Sequence, residues 1–90
     1  MSMLPERPRL AARARLRPDR DGGHLLLYPE RGLALNASAA AVVRLCDGSS
    51  TVAAIVERVA ADHAIAADAV AAGVRDFLLA LAARGLVVEG

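Results

Sequence analysis

Residues 28–48 read YPERGLALNASAAAVVRLCDG, and the spacing of their apolar side chains changes partway through. Pro29–Gly32 is typical of a turn, because proline presets φ and glycine can close a hairpin, and Leu33–Leu35 after it predicts a short strand. Ser38 is the expected N-cap of a following helix, and Gly48 its expected stop. Apolar residues at helical spacing support this helix: Ala39, Val42, Val43 and Cys46. The stretch therefore predicts a strand that leads directly into a helix.

Two further strands are expected before this stretch. Residues 13–17 alternate arginine with alanine or leucine, which is typical of a half-buried strand with its arginines outward. His24–Tyr28 is apolar, and Pro18–Gly23 before it has the composition of a turn. Since short turns join antiparallel neighbours, residues 13–17, 24–28 and 33–35 predict a three-stranded meander. Residues 1–12 are expected to be a flexible arm without regular structure, which leaves residues 13–90 as the single domain.

Two more helices are expected after the first. The second is expected to start at Ser50 or Thr51, and the third to cover Ala67 to Arg84 with Gly85 at its end. Apolar residues that should face the core recur in both: Val52, Ile55, Val56 and Val59 in the second helix, and Val70, Val74, Phe77, Leu78 and Leu81 in the third. Three strands followed by three helices predict an α+β fold, similar to a winged helix-turn-helix.

The composition narrows the classes of function. The chain has 90 residues, 56% of them hydrophobic and 2% aromatic, and a net charge of +1. A small domain with few aromatic side chains and little net charge has no general attraction to nucleic acid or membranes. Because there is neither a membrane-spanning run nor a signal-peptide pattern, we expect a cytoplasmic protein. Cys46 is expected to be a small buried hydrophobe.

No residue pattern predicts catalysis or a metal site. His24 and His63 belong to different expected elements, and no spacing of cysteine, histidine and aspartate resembles a ligand set. Serine and threonine near the helix starts are explained by capping, and Gly22-Gly23 by a turn rather than a phosphate loop. We therefore expect neither an enzyme nor a cofactor.

The winged-helix pattern raises DNA binding as an alternative function. On the third helix, Arg75 and Arg84 are balanced by Asp68 and Asp76, and the rest of its exposed face is apolar. Because DNA binding depends on cations placed against phosphates, this helix matches DNA poorly. A winged-helix DNA-binding module remains the alternative, although we expect no nucleic-acid partner.

The third strand offers a different kind of site. A three-stranded sheet has two edges, each with a row of unpaired backbone N–H and C=O groups. If the edge at Leu33–Leu35 lies beside the third helix, an extended peptide can add there as a fourth strand. The apolar side chains of that peptide would then rest on Ala72, Leu79 and Ala82.

An ordered set of residues from about Pro8 to Val87 resembles a known family. The set is Pro8, Leu16-Arg17, Leu27-Tyr28-Pro29-Glu30, Leu33-Ala34-Leu35-Asn36, Leu45-Cys46-Asp47-Gly48, Thr51, Ile55, Phe77-Leu78, Leu81 and Gly85-Leu86. These residues resemble the PqqD family, the pyrroloquinoline quinone biosynthesis protein D family, whose members are precursor-peptide recognition domains.

The resemblance implies a peptide chaperone without catalytic activity. It implies that the precursor peptide PqqA binds between the third strand and the third helix. It also implies presentation to the radical S-adenosylmethionine enzyme PqqE, which cross-links a glutamate and a tyrosine of that peptide. The positions that match the family's peptide strand are Leu33, Ala34, Leu35 and Asn36, and those of its facing helix are Arg75, Leu78, Leu79 and Ala82. Arg75 is the candidate contact for an acidic residue of the precursor.

Two further expectations concern partners. Arg13, Arg15 and Arg17 are candidates for docking the modifying enzyme, because exposed cations attract an acidic surface. The unprotected strand edge, together with the N-terminal arm, would also permit a homodimer by strand exchange.

Overall fold

The computed structural model describes residues 4–20, 22–29 and 31–90, which contain five strands and three helices. In chain order these are β1 (Pro8–Leu10), β2 (Arg15–Pro18), β3 (His24–Tyr28), β4 (Arg31–Leu35), α1 (Ala37–Arg44), α2 (Val52–Asp62), α3 (Ala67–Ala83) and β5 (Val87–Glu89). None of the described helices is both long and apolar enough to cross a membrane. Residues 1–3 of the expected arm, and Asp21 and Glu30 in the two expected turns, lie outside the described residues.

The strands β2, β3 and β4 form the antiparallel meander that the sequence predicts, in that spatial order. Gly22 lies in the turn between β2 and β3 at φ 83°, a left-handed conformation that glycine adopts without strain. β4 is longer than expected, because the second hairpin closes at the pair Tyr28↔Arg31 and the strand starts there. The sheet therefore ends in a five-residue strand that leads into α1.

A second, two-stranded sheet corrects the expectation for the N-terminal arm. Residues 8–10 are not without regular structure, because β1 pairs antiparallel with β5 at the other end of the chain. The Glu89 carboxylate accepts hydrogen bonds from the backbone N–H groups of Glu6 and Arg7 at 2.8 and 2.9 Å. Pro8 is fully buried. Pairing with a distant strand, rather than any local pattern, thus orders this segment.

The first helix differs from the prediction at both ends. Asn36, not Ser38, is its N-cap: the Asn36 Oδ1 accepts hydrogen bonds from the Ala39 N–H at 2.8 Å and the Ser38 hydroxyl at 3.0 Å. The helix ends at Arg44 rather than at Gly48. The following residues bond to β1 instead, since the Gly48 N–H donates to the Pro8 carbonyl at 3.0 Å.

The other two helices match the prediction closely. Thr51 caps α2 by accepting a hydrogen bond from the Ala54 N–H at 3.1 Å, as the sequence predicts. α3 begins without a side-chain cap at Ala66 and ends one residue earlier than expected. Ala64, in the connection between the two helices, has φ 53°, which is unfavourable for a residue with a Cβ.

The core lies between the helices and one face of the three-stranded sheet. Its most buried large side chains are Leu26, Ile55, Leu78 and Leu81, each no more than 1% exposed. Burying one such side chain contributes about 1.5–3 kcal/mol to the free energy of unfolding. Cys46 is buried among them as expected, and desolvation raises the pKa of its thiol to about 12, which keeps it protonated and unreactive.

Candidate functional site: an open strand edge beside an apolar cavity

One hairpin contact shows which cross-strand pairs of the three-stranded sheet are hydrogen-bonded and which are not; this alternation is called the phase of the sheet below. The Asp19 N–H donates to the Gly23 carbonyl at 2.9 Å, so these two residues form a hydrogen-bonded pair. The pair continues the register between β2 and β3. Hydrogen-bonded and non-hydrogen-bonded pairs alternate along an antiparallel ladder. The odd-numbered residues of β2 therefore bond to β3, whereas Leu16 and Pro18 direct their backbone polar groups away from it.

The same phase determines which groups of β4 are free. Because the odd-numbered residues of β3 bond to β2, its even-numbered residues bond to β4, where they pair with Arg31, Leu33 and Leu35. The N–H and C=O groups of Gly32 and Ala34 therefore point to the outer edge. In the part of the chain that the structure describes, no strand pairs with that edge, and both residues are exposed. The unpaired edge that the sequence predicts is present.

The two edges of this sheet are not equivalent. On β2 the outward-directed residues are Leu16 and Pro18, and proline has no N–H to donate. On β4 both outward-directed residues, Gly32 and Ala34, have a donor and an acceptor. A proline on an edge strand discourages pairing with another strand, so β4 is the edge suited to accept one.

An apolar cavity of about 340 Å³ starts where β4 ends. Its walls come from the beginning of α1, from Val59 and Ile65, and from one side of α3. The residues that line it are Asn36, Ser38, Ala39, Val42, Val59, Ile65, Ala69, Val70, Gly73, Val74 and Phe77. Ile65 is 49% exposed, and a Cβ built on Gly73 would meet nothing within 4 Å, so there is open space at both residues.

The cavity carries little polarity. Its polar side chains are Asn36 and Ser38, and these two already bond to each other. Within residues 4–20, 22–29 and 31–90 no cluster of three histidine, cysteine or acidic side chains is placed to hold a metal ion. The cavity is therefore suited to apolar groups.

The predicted strand residues lie on β4 and directly after it. Gly32, which the sequence analysis did not include, joins Ala34 in the free row. Leu33 is half-buried and Leu35 is buried on the core side, and Asn36 is exposed beside the cavity. Backbone groups of alternate residues, rather than of all four predicted residues, are thus available to a partner.

The predicted helix residues lie away from the cavity. Leu78 is fully buried in the core, so its expected place at the surface of the groove is wrong. Ala72 and Arg75 are exposed and Leu79 and Ala82 half-buried, but none of the four lines the cavity. Contact of these four residues with a peptide stays a prediction.

Five cavity residues of α3 were not in the predicted site: Ala69, Val70, Gly73, Val74 and Phe77. Val70 and Phe77 were assigned to the core, and both are half-buried at its margin. Phe77 and Leu79 are two residues apart and hence about 200° apart around the helix axis. The available signal was Gly73, because a glycine inside a helix often marks a close approach or a binding surface.

The predicted docking arginines are all exposed, but they do not form one group. Arg15 and Arg17 lie on β2. Arg13 lies in the preceding turn, and its Nη2 is 3.6 Å from the position that a Cβ on Gly85 would take, beyond the end of α3. Two of the three arginines therefore share a sheet face, and the third lies elsewhere.

The fold and its open edge are those of a small α+β domain of a known type. Domains of this type are recognition elements for ribosomally synthesized and post-translationally modified peptides (RiPPs). The structure is similar to the PqqD truncation of Methylobacterium extorquens PqqCD, a functional, stand-alone RiPP recognition element, with a TM-score of 0.78. The two chains are 32% identical over 91% of this chain and 88% of the other. The chain belongs to the PqqD family: the model of coenzyme PQQ synthesis protein D matches residues 23–87.

A second solved structure has the same fold. TbiB1, in complex with the TbiA(beta) leader peptide, matches with a TM-score of 0.72 and 22% identity, over 88% of this chain and 93% of that chain. No curated protein is significantly similar to the chain in sequence.

Proposed function

We propose that this protein binds the leader segment of a ribosomally made precursor peptide as a fourth strand on β4. The observation that carries this proposal is the free row of backbone groups at Gly32 and Ala34, next to an apolar cavity. Strand addition of this kind takes affinity from backbone hydrogen bonds and specificity from pockets for alternate side chains. The recognition-element character of the Methylobacterium relative supports the same function.

The hydrogen-bonding pattern of the sheet determines which side chains of the bound peptide would face the helices. In an antiparallel arrangement, peptide residues opposite Gly32 and Ala34 are hydrogen-bonded and direct their side chains to the outer face of the sheet. Residues opposite Leu33 and Leu35 direct theirs to the helix side, where the cavity begins. The leader segment therefore needs apolar side chains at two positions separated by one residue, with little demand on the residue between them.

The precursor in this proposal is PqqA, and the enzyme that receives the loaded domain is the radical S-adenosylmethionine enzyme PqqE. Membership of the PqqD family and the 32% identity to the Methylobacterium protein support this assignment. The domain itself contributes binding and positioning, and chemistry on the peptide belongs to the enzyme. Arg75 on α3 is exposed and stays the candidate contact for an acidic residue of the precursor.

An amide-shift titration of the labelled protein with synthetic PqqA tests the proposal. We expect the largest shifts at Gly32, Ala34 and Asn36 and at Gly73 and Phe77. Shifts confined to β2 or to the N-terminal arginines would contradict it. A parallel titration with duplex DNA tests the alternative function. Amide shifts of α3 residues on addition of DNA, without any shifts on addition of the peptide, would favour that alternative.

A further inference from the structure

The face of the three-stranded sheet that points away from the helices has a repeated composition. Cross-strand neighbours share a face of a sheet, so the registers of β2, β3 and β4 define rows of side chains. Two adjacent rows lie on this outer face: Arg15–Leu27–Gly32 and Arg17–Leu25–Ala34. Each row has an arginine, then a leucine, then a residue with a small side chain or none.

The leucines of these rows are not part of the core. Leu26, between them, is fully buried and belongs to the core cluster, whereas Leu25 and Leu27 are half-buried and absent from it. A Cβ on Gly32 would lie 3.2 Å from the Leu27 Cδ2, so Leu27 leans over Gly32. The outer face therefore presents two adjacent leucines that the fold of this chain does not need.

The arginines beside them have no acidic partner in the described part of the chain. Arg15 and Arg17 are exposed. The salt bridge found among the described residues joins Arg58 and Asp62, both on α2. Two residues apart on one strand, the two arginines lie about 7 Å apart along its axis. An apolar centre with a cationic border matches a partner surface of the opposite arrangement, an apolar patch with acidic side chains.

We propose that this outer face is the docking surface for the acidic, apolar-centred surface of a second protein. The identity of that protein as the enzyme that modifies the bound peptide rests on the proposed function. An added peptide strand would extend the outer face beyond Gly32 and Ala34, so the loaded domain offers the enzyme a larger surface than the empty one. Of the three arginines predicted for docking, Arg15 and Arg17 belong to this surface and Arg13 does not.

The test is an amide-shift titration of the full chain with a capped pentapeptide of alternating glutamate and leucine, at low ionic strength. We expect saturable shifts at Arg15, Arg17, Leu25 and Leu27. The double variant Arg15→Glu/Arg17→Glu should bind about tenfold more weakly, because two charge contacts become repulsive. The matched control, Arg58→Glu/Arg84→Glu, changes net charge equally and should bind within about twofold of the unaltered protein.

Three results would overturn this docking surface. They are equal binding of a lysine–leucine pentapeptide, shifts confined to β4 and the cavity, and equal weakening by the two double variants. Binding of PqqA is measured separately on Arg15→Glu/Arg17→Glu and should be unchanged within about twofold. If PqqA fails to bind any form while the acidic pentapeptide still shifts the outer face, the proposed function fails and the docking surface stands.

Discussion

Asn36, which caps α1, and Gly73, near the middle of α3, line the same apolar cavity. Asn36 directly follows the strand with the free edge, and Gly73 is a position at which α3 has no side chain. A partner strand on β4 would thus reach the cavity at its Asn36 end and find space at Gly73. Access to this cavity can be changed through Gly73 without touching the sheet.

Substitution of Gly73 should separate stability from binding. Because glycine inside a helix costs about 0.5–1 kcal/mol relative to alanine, Gly73→Ala and Gly73→Leu should both raise the free energy of unfolding by roughly that amount. Gly73→Leu should also fill the cavity and deny it to a peptide side chain, whose burial is worth about 1.5–3 kcal/mol. We expect at least about tenfold weaker peptide binding, measured by calorimetry, alongside a higher melting temperature.

Gly73→Ala is the matched control, since it gives the helix the same backbone benefit and leaves most of the cavity open. If Gly73→Leu binds the peptide as tightly as Gly73→Ala does, the cavity is not part of the binding site.

Ala34→Pro should weaken peptide binding while the domain stays folded. The Ala34 N–H points to the free edge, so proline removes a donor that only a partner strand uses. The loss of one such hydrogen bond costs about 0.5–1.5 kcal/mol, and the proline ring obstructs the approach of a strand. We expect about tenfold weaker binding by calorimetry, with an amide spectrum that is unchanged away from β4.

Two other variants check the phase of the sheet. Ala34→Val retains the N–H and should bind nearly normally. Leu35→Pro removes an N–H that bonds to β3, so it should lower the free energy of unfolding before it affects binding. Folding losses that are larger for Ala34→Pro than for Leu35→Pro would show that the assigned phase is wrong.

Sequence patterns were sufficient to predict most of the strands and helices, but they predicted fewer of the residues that line the candidate site. Alternation and turn residues predicted the meander, and helical spacing predicted α3 to within one residue. Asn36 was missed as a cap because Ser38 has similar chemistry and only backbone geometry decides between them. Residues 8–10 were missed because their partner, β5, lies at the far end of the chain. Helical spacing places the core side of α3, but which flank borders the cavity depends on how the helix packs in three dimensions.

Ala64→Gly should stabilise the connection between α2 and α3. Ala64 has φ 53°, where a Cβ meets the following carbonyl and costs about 1–2 kcal/mol. Glycine removes this cost but loses more freedom on folding, so we expect a net gain of about 0.5–1 kcal/mol in chemical denaturation. The matched control is Ala61→Gly, an exposed position within α2, which should lower the free energy of unfolding by a similar amount. A loss of stability in Ala64→Gly would contradict the left-handed conformation.

Glu89→Gln should reduce stability in a pH-dependent way. Hydrogen bonds from the Arg7 and Glu6 N–H groups lower the pKa of the Glu89 carboxyl below its ordinary value of 4.5. A carboxyl whose pKa is lower in the folded state stabilises the fold fully above pH 4.5, and this contribution is lost as the pH falls through the folded-state pKa. The difference between the two proteins in urea denaturation should therefore be present at pH 7 and shrink at pH 3. A difference that grows on acidification would contradict this link between the chain ends.

The pairing of β1 with β5 determines where the C-terminal end of the chain lies on the domain. The Gly90 N–H donates to the Arg7 carbonyl at 2.8 Å, so the first and last strands begin and finish at one corner. A linker joined after Gly90 therefore leaves the domain beside Arg7, at the corner where β1 begins. Joining the two ends through a short loop, with new termini opened in a surface turn, should for the same reason preserve the fold.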